Sequence, residues 1–387
     1  MSRTRAFAES VVIMVCPVLL AIVLEKVKLK SVEHGRAIPI LMLVVAAFTL
    51  TSGTIPFIAL SFSKRFSARA RRLPTKITTC SAPVSCVCLV GLACWIVKLI
   101  LIQRWAYAFP AFGIVFFLSI VIRSVMYYVE RGDPSNLVAA DELPVNDEIA
   151  ARRQIADVEE KLDKSLELLA GVTAMLFLGM EGLALEGQTN GGQGRLAAPI
   201  GICFFACLFG VCFMLLETIP PPPPGRNDTG CRATIVRNLT EFCDVFMALA
   251  IGAVMLTIMI VLVKLLALLL LSPVLMVFLV HVFDIAVGGG GGGGNPPNVR
   301  PASLELSKVT FTGFLAVSIP AISRRSLSKS TECFLILAAS AIVSGIAWRL
   351  LTHTKKGTSA NVASFCTHLC IAVATVPFTV MAGEALH

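Results

Sequence analysis

The stretch FCDVFMALAIGAVMLTIMIVLVKLLALLLLSPVLMVFLVHVFDIAV, residues 242–287, decides the fold class. Lys264 alone interrupts its apolar interior, and Pro273 is its only proline. About 20 apolar residues in helix cross a hydrocarbon core about 30 Å thick. This run is more than twice that length. It predicts either two spans joined by a tight turn or one long kinked helix followed by a re-entrant piece. Lipid offers no hydrogen bonds to a backbone, so each crossing segment pairs its own N–H and C=O groups as a helix. The alternating segments of about ten residues that build a membrane β-barrel are absent.

The rest of the chain follows the same pattern. Of 387 residues 56% are hydrophobic and 15% charged, with a mean hydropathy of +0.82. Soluble domains average about 45–50% apolar and about 25% charged. Further apolar blocks lie at 6–24, 37–61, 83–102, 106–129, 166–187, 197–219, 308–322, 332–351 and 361–383. The expected fold is all-α, a polytopic membrane bundle of ten or eleven helices, with 308–322 short enough to dip in without crossing. The basic start and apolar run at the N-terminus lack a small-residue cleavage pattern, so 6–24 is expected to stay as the first span.

The organisation read from these blocks has seven parts. Residues 1–129 carry four spans, 130–164 an acidic connection and 165–219 a helical hairpin. Residues 220–241 form a Pro-rich loop, 242–287 the double span, 288–307 a Gly-rich linker, and 308–387 a C-terminal region of two or three spans. The runs PPPPPG at 220–225 and GGGGGGG from 288 read as a stiff spacer and a flexible one.

Lys and Arg counts set the expected orientation. Up to residue 241, connections on the N-terminal side hold sixteen basic residues and those on the other side six. Cytosolic loops carry the excess, which puts the N-terminus in the cytoplasm. Plasma membrane and endomembrane are not distinguished. Asn227-Asp-Thr229 and Asn238-Leu-Thr240 match the glycosylation acceptor pattern, but this orientation places them on the unmodified side. The basic loop 63–82 is a candidate for contact with anionic headgroups.

Residues 130–164 stand apart, with ten acidic side chains against five basic ones. Ile155, Val158, Leu162 and Leu169 recur at helical spacing. Glu148–Arg152, Asp157–Lys161 and Glu160–Lys164 are acid-before-base pairs at i,i+4. An amphipathic helix is therefore expected to run straight into the fifth span. Its stripe over 141–169 is a candidate surface for a second copy or another protein, although two heptads are too few for a coiled coil.

The charged residues inside the spans are the candidate site. An ionisable group near the bilayer centre costs about 2.5–3.5 kcal/mol on insertion scales, and such groups turn toward other helices or a water-filled cavity. Glu181 falls on a stripe with Glu167, Ala170, Ala174 and Leu185, and small residues there admit a neighbouring helix. Glu217 ends a similar stripe through Cys203, Cys207, Gly210 and Met214. Depth matches Glu181 with Lys98 and Glu217 with Arg123, which predicts two interhelical ion pairs. For Glu181 the alternatives are structural pairing, a place on an ion or proton pathway, and snorkelling to the interface. His281 and Asp284 share a helix face at i,i+3, a spacing that reads first as a pair at a helix end. Glu332 and Arg349, at opposite ends of one span, read as interface anchors.

Several functions are disfavoured. The nucleotide-binding G-x-x-x-x-G-K-[ST], the nucleophile elbow G-x-S-x-G and the zinc motif H-E-x-x-H do not occur. Five histidines are too few for a multi-histidine metal centre. Most of the thirteen cysteines lie within spans, where thiols behave as small hydrophobes. No loop is long enough to fold a nucleotide-binding domain. The chain is expected not to be an enzyme and to use no cofactor, metal or nucleic acid. Two classes remain: a channel or secondary transporter for a cation or proton-coupled solute, and a non-transporting scaffold or regulator working through its amphipathic helix and basic loops.

Overall fold

A computed structural model describes residues 2–23, 37–63, 72–100, 113, 117, 121, 145–190, 193–217, 229–286, 303–324, 327–353 and 357–386. The elements are α1 (Ser2–Val23), α2 (Ala37–Ser63), α3 (Arg72–Ile100), α4 (Val145–Asn190), α5 (Gln193–Glu217) and α6 (Thr229–Val263). A 3-10 segment (Lys264–Leu271) follows, then α7 (Ser272–Ala286), α8 (Ser303–Arg324), α9 (Lys329–His353) and α10 (Gly357–Leu386). No strand occurs among the described residues. The all-α membrane bundle expected from composition is the fold observed.

Among the described residues five stretches are long and apolar enough to cross a membrane: Glu160–Leu183, Ala198–Leu216, Asn238–Val280, Lys329–Leu351 and Asn361–Glu384. Four described helices carry shorter apolar stretches: Ala6–Leu20, Met42–Ile55, Ser81–Val97 and Leu306–Ile322. The expected span over 106–129, with Arg123, lies outside the described residues, apart from three isolated positions. The short 308–322 block is the middle of the 22-residue α8, whose apolar stretch Leu306–Ile322 is shorter than the five candidate spans.

The long apolar run breaks at Lys264. This residue has φ 56°, the one positive-φ non-glycine among the described residues, and Val263 before it has φ −117° and ψ 0°. Neither value continues an α-helix. The eight residues that follow are 3-10, with Ala267 and Leu270 buried. At 15 residues α7 alone reaches about 22 Å, short of the core. The 3-10 segment adds about 16 Å at its longer rise, which makes 264–286 long enough to cross.

The chain divides into two compact units that interleave in sequence. The first is Met1–Glu181 with Phe204–Met247, and the second is Gly182–Cys203 with Ala248–His387. In the first unit α2 packs on both α1 and α3. Gly53 makes the α1 contact possible, because a Cβ there would sit 2.6 Å from Cγ1 of Val11. The Ser52 and Ser85 hydroxyls share a hydrogen bond of 2.9 Å between α2 and α3. Elsewhere in this unit α4, α5 and α6 meet where Gly210 lies against Thr173 and Met247, with no room for a Cβ. Small residues of this kind let membrane helices approach closely. Phe209 and Phe213 of α5 set their rings edge-on to Phe246 of α6, with centroids 5.1 Å and 5.6 Å away.

In the second unit α9 packs on α8, α10 and the 3-10 segment. Gly345 of α9 admits Ser307 of α8, whose Oγ lies 2.5 Å from where a Cβ would be. Thr367 of α10 donates to the Ser344 hydroxyl at 3.1 Å. Val277, Trp348 and Ala363 form a buried cluster of α7, α9 and α10. Arg349, read from sequence as an interface anchor, is buried at 7% exposure.

Candidate functional site

Helix α4 positions the principal candidate. It is continuous over 46 residues, about 69 Å at α-helical rise, so the amphipathic helix does run unbroken from Val145 into the span. Most residues of that span are buried. Leu166, Leu169, Val172, Leu176 and Phe177 are all at 0% exposure.

Glu181 lies in this setting at 7% exposure, with Ala170 and Ala174 of its stripe at 2% each. Its Oε1 atom has no hydrogen-bond partner among the described residues. Two turns earlier on the same helix, Thr173 is fully buried and its hydroxyl likewise has no partner among them. An unpaired polar group in apolar surroundings costs several kcal/mol, more when charged. Each such group in a native interior therefore calls for an explanation.

The other sequence candidates fall unevenly. Cys203, Cys207 and Met214 of the second stripe are buried at 0–1%, but the side chain of Glu217 at its end lies outside the described residues. The same holds for the side chains of Lys98 on α3 and of His281 and Asp284 on α7. Neither expected ion pair, Glu181–Lys98 or Glu217–Arg123, thus falls within the described side chains. No group of three or more potential metal ligands occurs among the described residues.

Sequence reasoning missed a second buried carboxylate. Asp244 of α6 is 4% exposed and accepts a hydrogen bond of 2.6 Å from the Ser165 hydroxyl of α4. One turn away, Lys161 approaches Glu241 at 3.9 Å, and Lys164 pairs with Glu160 at 2.6 Å as the i,i+4 spacing predicts. Asp244 stands near the start of an apolar run, a place that reads as a solvated helix end. Only the partner on α4 marks it as interior. The sequon Asn238-Leu-Thr240 lies within α6 with Thr240 buried, unlike the exposed loops in which acceptors are found.

No family model, curated protein or solved structure matches the chain.

Proposed function

We propose that the chain is a channel or secondary transporter for a cation or a proton-coupled solute, with Glu181 on the pathway. The observation that carries this reading is the buried Oε1 of Glu181, which has no partner among the described residues of an apolar span. Ionisable residues inside membrane helices are rare, and pathways for ions and proton relays are among the places they mark. A carboxylate in such surroundings is best compensated by a proton or a cation, the two charges that a transport cycle would deliver to it. The orphaned hydroxyl of Thr173 on the same helix supports the reading as a further polar group held in reserve. No enzymatic role is proposed.

The test is flux through purified protein in liposomes under gradients of sodium, potassium and protons, with Glu181→Gln alongside. The substitution keeps the shape and removes the charge. Wild-type flux that the monodisperse variant lacks is the expected result; equal flux in both would remove Glu181 from the pathway.

A second reading rests on a separate observation. Helix α4 continues for 15 residues ahead of its apolar span, about 22 Å of helix available to a partner. On this reading the chain is a scaffold or regulator acting through 141–169, with residues 63–82 drawing anionic headgroups at about 1 kcal/mol per basic residue. A wild-type protein silent under every gradient, yet retaining a partner that deletion of 145–159 releases, would favour it.

A further inference from the structure

Helix α10 differs from the other long spans. Three residues of Asn361–Glu384 are buried, against twelve of Lys329–Leu351 on the neighbouring α9. Its inner seam is narrow: Ala363, Thr367 and Ala374 are buried, and Thr367 bonds across to α9. Turned roughly 120° from that seam runs a polar stripe of Asn361, His368, Thr375 and Thr379. All four are exposed.

That stripe is misplaced for a lipid-facing surface. His368 lies seven residues into the span, about 10 Å of helix, and ionisable groups at such depth almost always turn toward protein or water. The His368 Nδ1 donates to the Ser364 carbonyl at 2.8 Å, and the other ring nitrogen, Nε2, can form a further hydrogen bond. Thr375 and Thr379 donate to the carbonyls of Ala372 and Val376 and keep free acceptor capacity. The Asn361 amide offers both donors and an acceptor. Acyl chains can answer none of these.

We propose that this stripe is the contact by which α10 pairs with α10 of a second copy of the chain, the two helices running parallel. The spacing supports an identical partner. Asn361, His368 and Thr375 recur every seven residues, the repeat that keeps two supercoiled helices in register. A two-fold axis along the membrane normal brings each residue to its own counterpart at equal depth. An asparagine pairs with an asparagine because each both donates and accepts, and polar side chains of these types hold membrane helices together. The stripe carries no carboxylate or ammonium that a partner of opposite charge would need. Phe365, Leu369, Val376 and Val380, on the side opposite the buried seam and also exposed, flank the stripe and face lipid.

Cysteine cross-linking of the full chain in nanodiscs tests this. Asn361→Cys and Thr375→Cys are oxidised beside wild type, which reports any background from native thiols, and beside Val373→Cys on the lipid side. A symmetric disulfide needs Cα atoms within about 7 Å, so covalent dimer is expected from the first two variants above background and not from the third. A disulfide within one chain, dimer yield equal at 373 and 375, or no cross-link from either stripe position in well-folded protein would overturn the proposal. Should Thr375→Cys fail to fold, Asn361→Cys carries the same test. Single-molecule photobleaching should independently count two copies of wild type per particle at low density, and one copy overturns it. Replacing Asn361, His368 and Thr375 together by alanine should weaken association roughly twentyfold.

Discussion

Removing the Ser165 hydroxyl should destabilise the first unit through its effect on Asp244. The bond is 2.6 Å long and joins side chains at 0% and 4% exposure. Hydrogen bonds to charged groups contribute about 1.5–3 kcal/mol in soluble interiors. Pairs between membrane helices average only about 0.6 kcal/mol, with a maximum near about 1.7. The short distance and full burial argue for the upper part of the membrane range, so a coupling of about 1.5 kcal/mol is expected. Ser165→Ala should cost about that much. Asp244→Asn should cost less, because the amide oxygen still accepts from Ser165. Asp244→Leu removes the acceptor altogether, and adding Ser165→Ala to it should cost little more. Equilibrium unfolding in mixed micelles titrated with dodecyl sulfate, followed by helical circular dichroism, supplies the four free energies. A coupling under about 0.3 kcal/mol, or Ser165→Ala as stable as wild type, would show that the pair is incidental to α4–α6 packing.

Gly182→Ala should destabilise the second unit by about 1–3 kcal/mol, since its Cβ would meet Cδ1 of Ile319; Ile319→Val, which deletes that carbon, should recover most of the loss in the same unfolding assay, and no recovery would place the strain elsewhere. Lys264→Gly relieves a left-handed residue at φ 56° and should raise stability by about 0.5–1 kcal/mol; destabilisation would mean that the lysine side chain outweighs the backbone cost. Glu241→Gln breaks an ion pair of 3.9 Å whose partners are 42% and 56% exposed, and should change stability by less than about 0.5 kcal/mol; a larger loss would reveal a tighter network around Lys161.

Hydropathy made much of this architecture legible. Lipid imposes one demand on every residue of a span, and that demand can be summed along the chain. The helices beneath the apolar blocks follow from it, while the passage of 145–159 into the span follows from the helical spacing of its apolar and charged residues. What escaped depends on neighbours remote in sequence. Asp244 reads as a helix end until Ser165, 79 residues away, is seen to reach it. The burial of Arg349 likewise depends on helices that no local pattern names. Gly182 and Gly210 look alike in sequence, yet one faces Ile319 and the other Thr173. For Glu181 the stripe of small residues named the face, but no periodicity states whether a partner waits there.

The stretch 264–271 is wound at three residues per turn, and Ala267, Leu270 and Pro273 are all buried at steps of three. Three-residue steps align on a 3-10 helix, whereas on an α-helix each falls about 60° behind the last. The spacing of this seam and the pitch of its backbone thus require each other. Rewinding the eight residues to α pitch would shorten them by about 4 Å and turn one end about 160° against the other. Displacement and rotation are locked in fixed ratio here, as in a screw thread, and Lys264 is the slot at its head.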